Sequence, residues 1–140
     1  MPPFGKVAVK AVQNYRSHRF PSPMGAWDAA VRDICTADSI EEKICSRSVF
    51  LGLCEAGFVR GIPVGTYLKT RPGEHSPNKI FATTAARLIA GDPGLLRNKM
   101  RLRELLTDSG RNAQLDVVIA LWESGLIEIS AQNMLAPSAN

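Results

Sequence analysis

Cys45-Ser-Arg-Ser-Val-Phe-Leu-Gly-Leu-Cys-Glu-Ala-Gly-Phe-Val-Arg-Gly-Ile-Pro-Val-Gly-Thr-Tyr67 is the stretch whose reading decides the fold. Ser46 reads as a helix cap, because its hydroxyl can accept a hydrogen bond from a backbone N–H one turn further in. Phe50, Leu53 and Cys54, with Val49 beside them, then share one face at helical spacing. Gly57 suits the left-handed residue that ends a helix, since it has no Cβ to clash. Phe58 and Leu53 are the apolar pair that closes a Schellman ending in this register. Beyond it Gly61, Pro63 and Gly65 force the chain to turn. Ile62-Pro63-Val64-Gly65 fits a type I turn, with proline second and glycine fourth.

The same ending recurs near the C-terminus. Leu121-Trp122-Glu123-Ser124-Gly125-Leu126-Ile127 matches Leu53-Cys54-Glu55-Ala56-Gly57-Phe58-Val59 in character at every position. A duplicated helix stop is the simpler reading, and an internal repeat the stronger claim, since two copies fall short of a solenoid pattern. A short extended pairing of Phe58–Arg60 with Leu126–Ile129 would give the two stops a common purpose. No other stretch shows period-2 alternation, so the expected fold is all-α, a compact orthogonal bundle of five to seven short helices.

Outward from the centre, helical stripes fill the rest. Ala8, Ala11, Val12 and Tyr15 lie on one face, with Lys6, Lys10 and Gln13 opposite. Ser22-Pro23 reads as a cap and first helical residue, and Trp27, Ala30, Val31 and Ile34 follow as a second stripe, Trp27 as a core anchor. Thr36–Ile44 is a polar junction in which Ser39 and Glu42 can form a capping box. Lys69–Ser76 has loop composition. Ser76-Pro77 opens a helix with a broad apolar face of Phe81, Ala82, Ala85, Leu88 and Ile89. Gly91 ends it, and Asp92-Pro93 opens another that should turn Leu95, Leu102, Leu105 and Leu106 inward until Ser109-Gly110. From about Asn112 a last helix, apolar on several sides and therefore central, buries Leu115, Val118, Ile119 and Trp122. Residues 1–129 are expected to form a single domain, with 130–140 as a tail.

Composition narrows the function classes. At 140 residues and 45% hydrophobic content, one core can form without metals or disulfides. No apolar run is long enough to span a bilayer, and the first residues lack a secretory pattern. Three cysteines do not make a disulfide framework, so a reducing cytoplasm is expected. Arginine supplies 11 of the 17 basic residues behind the net charge of +4. It favours bidentate contact with carboxylates and phosphates, but the thirteen acidic residues are interspersed.

A set of residues in the centre and C-terminus resembles a family of small, uncharacterised bacterial proteins classed as a domain of unknown function. The set comprises Cys45, Phe50-Leu51-Gly52-Leu53-Cys54-Glu55, Gly57, Val59, Gly61-Ile62, Gly65 and Tyr67. Asn78-Lys79 and Asn112-x-Gln114-x-Asp116-Val117-Val118-x-Ala120-Leu121-Trp122 complete it. The likeness runs from about the second helix to Ile127. The chain departs from the family pattern with Ser46-Arg47 in place of Pro-Lys, and with a longer loop before Asn78. The family brings no assigned activity, so the resemblance supports the fold and leaves the chemistry open.

Several residues are candidates for chemistry. Cys45, placed just before a helix start, could be held as thiolate by the dipole and free N–H groups, with Lys79 and Asp116 as companions. A small apolar residue at that position is the plainer reading, and Cys54 is packing. Tyr67, Asn78, Asn112 and Gln114 could border a polar pocket. Glu55 and Glu123 sit in last turns, where negative charge opposes the helix dipole; ion pairs with Arg60 or Arg111 would offset that cost, and the alternative is that these carboxylates border a polar pocket with Asp116, Asn112 and Gln114. Arg97, Arg101 and Arg103 form the best basic patch for phosphates, diluted by Glu104 and Asp108. The cysteines lack the close spacing of zinc ligands, and His18 and His75 have no helical partner, so no metal or cofactor is expected. No nucleophile elbow, P-loop or dinucleotide fingerprint occurs. The favoured reading is a non-enzymatic helical module that binds another protein, or itself, without a membrane role. A small enzyme or ligand-binder, and a nucleic-acid binder, are the alternatives.

Overall fold

A computed structural model describes residues 3–34, 40–68, 76–106 and 112–129, without the side chains of Glu41 and Asn112. Among them the chain forms six α-helices: α1 (Phe4–Arg16), α2 (Pro23–Ile34), α3 (Ile40–Glu55), α4 (Pro77–Gly91), α5 (Lys99–Leu105) and α6 (Asn112–Glu123). A 3-10 helix, Pro93–Arg97, precedes α5. The all-α expectation holds, and among the described residues no helix is long and apolar enough to cross a membrane.

Both glycine stops form as their residues dictate. Gly57 has φ +80° and Gly125 φ +72°. At the first, Phe58 N–H donates to the Leu53 carbonyl (3.0 Å) and Gly57 N–H to Cys54 (3.0 Å). At the second, Leu126 N–H donates to Leu121 (2.9 Å) and Gly125 N–H to Trp122 (3.0 Å). These are the paired 6→1 and 5→2 bonds of a Schellman ending. The residues beyond each stop then meet. Val59 and Ile127 form an antiparallel bridge, with Arg60 N–H on Leu126 O and Glu128 N–H on Phe58 O, both 2.8 Å. The likeness of the two endings thus serves one pairing, which ties the end of α3 to the end of α6.

One core runs through the helices. Trp27 is its aromatic centre, stacked on Phe50 at 5.2 Å and Phe4 at 6.5 Å between ring centroids. Leu115, Val117, Val118 and Leu121 bury most of α6, which packs against α1, α3 and α4. Ile119 and Trp122 are only half-buried. The bundle is drawn tight where side chains are small. A Cβ at Gly5 would lie 2.8 Å from the Ala120 Cβ, and one at Gly52 2.7 Å from the Lys79 Cα. The crossings of α1 on α6 and of α3 on α4 therefore both require glycine.

Three serine and aspartate caps stand where expected. Ser22 Oγ accepts from Gly25 N–H, Ser76 Oγ from Lys79 N–H, and Asp92 Oδ1 from Gly94 N–H. Ser46 does not cap. Helix α3 begins at Ile40, so Ser46 is a buried interior residue, and its hydroxyl has no partner among the described residues. The extra turn expected before Cys45 is the first turn of α3 itself; Ser39 lies outside the described residues. The hydrogen-bonded turn after α3 is Val59–Ile62, closed by Ile62 N–H on Val59 O, with Gly61 at φ +89°. Positive φ at the third position is what a type II turn needs, and it precedes the expected turn by three residues. The helix expected from Asp92 is broken at Asn98, whose Oδ1 caps α5 through Arg101 N–H. Leu95, Leu102 and Leu106 still point inward, but Leu105 is 39% exposed.

Candidate functional site

The densest polar cluster lies where α3 ends and α4 begins. Glu55 is the last residue of α3, pointing a carboxylate at a helix end that repels it. The structure resolves this cost with three donors. Glu55 Oε2 accepts from the backbone N–H of Tyr67 (2.9 Å) and Leu68 (2.8 Å), and Oε1 from Lys79 Nζ (2.9 Å). The side chains of Glu55 and Lys79 are only 15% and 17% exposed, so the pair is shielded from solvent. Burial pushes the Glu55 carboxyl up. The Leu68 N–H, the Lys79 ammonium and the Tyr67 N–H together outweigh burial and hold its pKa below the ordinary carboxylate range. The cluster fastens the segment after Gly57 back onto both helices.

Lys79 reaches Glu55 because α4 lies against Gly52, one turn before Glu55. Ser76 fixes the start of α4, and Thr83 Oγ1 donates to the Lys79 carbonyl at 2.9 Å. Next to Lys79, Asn78 accepts from Gln114 Nε2, a side chain on the first turn of α6 that is 7% exposed. Asn78, Lys79 and Gln114 thus join the ends of three helices.

The other candidates do not join them. Asp116 pairs with Lys99 of α5. Cys45 is half-buried inside α3, five residues after its start and beyond the four backbone N–H groups left free at a helix start. Seven residues separate it from Gly52, which puts it about 10 Å along α3 from the level of Lys79. Burial pushes the Cys54 thiol well up, as expected of packing. Tyr67 shares the clamp through its N–H alone; its hydroxyl donates to Pro63 O at 2.6 Å. Burial raises the Tyr67 pKa, with Tyr15 and Cys54 adding to the effect. The Asn112 side chain, Arg111, His75 and Cys35 lie outside the described residues.

The ion pairs differ from those expected. Arg60 pairs with Glu128 at 3.1 Å across the Val59–Ile127 bridge instead of with Glu55. On α5, Arg101 stands 3.9 Å from Glu104, Arg97 is exposed and Arg103 half-buried. Among the described residues no three His, Cys, Asp or Glu side chains come together.

Sequence reasoning overlooked one feature. A groove of about 450 Å³ opens between α1 and α6, lined by Lys6, Val9 and Lys10 on one side and Ala120 and Glu123 on the other, with Ile34 of α2 also in its lining. Of the residues singled out from the sequence for chemistry, Glu123 alone lines it. The available signal was the run Lys6, Val9, Lys10 and Gln13 on one stripe of α1, which reads equally as a solvated face.

No curated protein and no solved structure matches the chain. Residues 1–128 match the family of unknown function DUF6979, and the chain belongs to that family.

Proposed function

We propose that this chain is a small helical binding module without catalysis of its own, working in the cytoplasm on a protein partner or a second copy of itself. One observation carries the reading: the polar groups best suited to chemistry are spent on each other. Glu55 and Lys79 are locked together, Asn78 accepts from Gln114, and Asp116 holds Lys99. A general base or nucleophile needs an accessible atom within reach of a substrate, and these contacts leave a scaffold. Around it, Ile40, Val64 and Met100 are each more than 70% exposed, side chains suited to contact with another macromolecule.

Size-exclusion chromatography with light scattering, followed by a pull-down from a bacterial lysate, tests the proposal. A strict monomer that recovers no partner defeats it. The nucleic-acid reading draws less support, because α5 has only seven residues and Glu104 stands beside Arg101.

A further inference from the structure

The α1–α6 groove has a consistent chemistry along its length. Its α1 wall runs from Gly5 to Gln13, about 12 Å of helix and a little over two turns. Lys6 and Lys10 stand one turn apart on that wall, both exposed, and no carboxylate lies within ion-pair distance of either among the described residues. Val9, Ile34 and Ala120 supply apolar floor. The groove is shallow and largely open to solvent. A small molecule is usually buried over most of its surface, which an open trough cannot do, whereas a helix laid along a groove buries only its apolar stripe.

We propose that this groove docks an acidic amphipathic helix of a partner protein. Carboxylates one turn apart on that helix meet Lys6 and Lys10, and its apolar stripe lies on Val9, Ile34 and Ala120. Glu123 on the opposite wall sets the orientation by repelling acidic residues and accepting a basic one. The formal charge of +4 favours encounter with such a partner. The assignment rests on the binding-module reading and gives it a site and a partner chemistry.

The test uses the full 15N-labelled chain and a stapled helical peptide of about three turns, with a leucine stripe flanked by glutamates. A second peptide carries lysines in place of the glutamates. The acidic peptide should shift the amide signals of Lys6, Val9, Lys10 and Ala120 and bind at least about tenfold tighter than its lysine counterpart. Joint Lys6→Glu and Lys10→Glu substitution, at exposed positions that leave the helical circular dichroism unchanged, should lower acidic-peptide affinity about tenfold and raise that of the lysine peptide. Absent shifts, shifts confined to another face, equal binding of the two peptides, or a response of these amides to anionic lipid vesicles instead would overturn the assignment. If the charge-reversed chain captures the same partner at wild-type level, the groove is wrong and the module reading stands. A chain that is monomeric and recovers nothing defeats the module reading itself.

Discussion

Gly52 packs directly on Lys79: a Cβ at position 52 would lie 2.7 Å from the Lys79 Cα and 2.9 Å from its Cβ. Neither atom can rotate away, because both are fixed by the first turn of α4. Alanine is favoured over glycine inside a helix by about 1 kcal/mol, so on α3 alone Gly52→Ala should stabilise. The crossing reverses the sign. We expect Gly52→Ala to destabilise by about 1–3 kcal/mol, the range for overpacking, read from urea denaturation. A variant as stable as the parent would show that α3 and α4 do not approach this closely.

The clamp beside that crossing predicts a pH dependence. Glu55 has a lower pKa folded than unfolded, so its contribution is complete above the unfolded carboxylate value of about 4.3. That contribution is lost as pH falls through the folded value. Glu55→Gln removes the charge from the shielded Glu55–Lys79 contact, at a cost of about 2–3 kcal/mol near neutral pH. The gap between parent and variant should stay constant from about pH 7 to pH 5 and narrow towards pH 3. A gap that is flat with pH, or widens in acid, would show that the carboxylate is not held by these donors.

The two glycine stops, alike in sequence, should respond differently to the same substitution. Both have positive φ, costing an L-residue roughly 1–2 kcal/mol. A Cβ at Gly125 meets nothing within 4 Å, whereas one at Gly57 would lie 2.5 Å from Val64 Cγ2. Gly125→Ala should therefore cost about 1 kcal/mol, and Gly57→Ala about 1 kcal/mol more. Val64→Ala in the Gly57→Ala background should recover that excess, since Val64 is exposed and contributes little otherwise. Equal losses at the two glycines, with no recovery, would remove Val64 from the argument.

These stops were legible in the sequence because everything they need is local: a glycine, a carbonyl five residues back and an apolar residue on either side. The caps at Ser22, Ser76 and Asp92 were legible for the same reason. What escaped was decided by distant packing. The start of α3 at Ile40 is obscured by a serine with every property of a cap, and the break at Asn98 lies inside a run that keeps helical periodicity. Glu55 was recognisable as ill-placed at a helix end. Its partner Lys79 lies 24 residues away and is delivered only by the glycine crossing. Of the positions that the resemblance singled out, Asn78, Lys79 and Gln114 lie where three helices meet, whereas Cys45 lies earlier in α3 and Asp116 pairs with Lys99. The groove draws on α1 and α6, the first and last helices, so no window of sequence contains it.

Ser46 separates the local reading from the folded one most sharply. As a helix cap, it would lose about 0.5–2 kcal/mol on truncation to alanine. As a buried interior residue of α3, it lies on the face of Val49 and Phe50 with its hydroxyl unpaired among the described residues. Removing that hydroxyl deletes a desolvated polar group worth about 1–3 kcal/mol when unsatisfied, and places the best helix former in mid-helix. The void left is smaller than a methyl group, so little packing is lost. Ser46→Ala should therefore raise stability by about 0.5–1 kcal/mol, seen as a higher thermal midpoint with unchanged helical content. A loss of 1 kcal/mol or more would mean that the hydroxyl holds a partner, and that the chain around Cys45 is organised as a helix start after all.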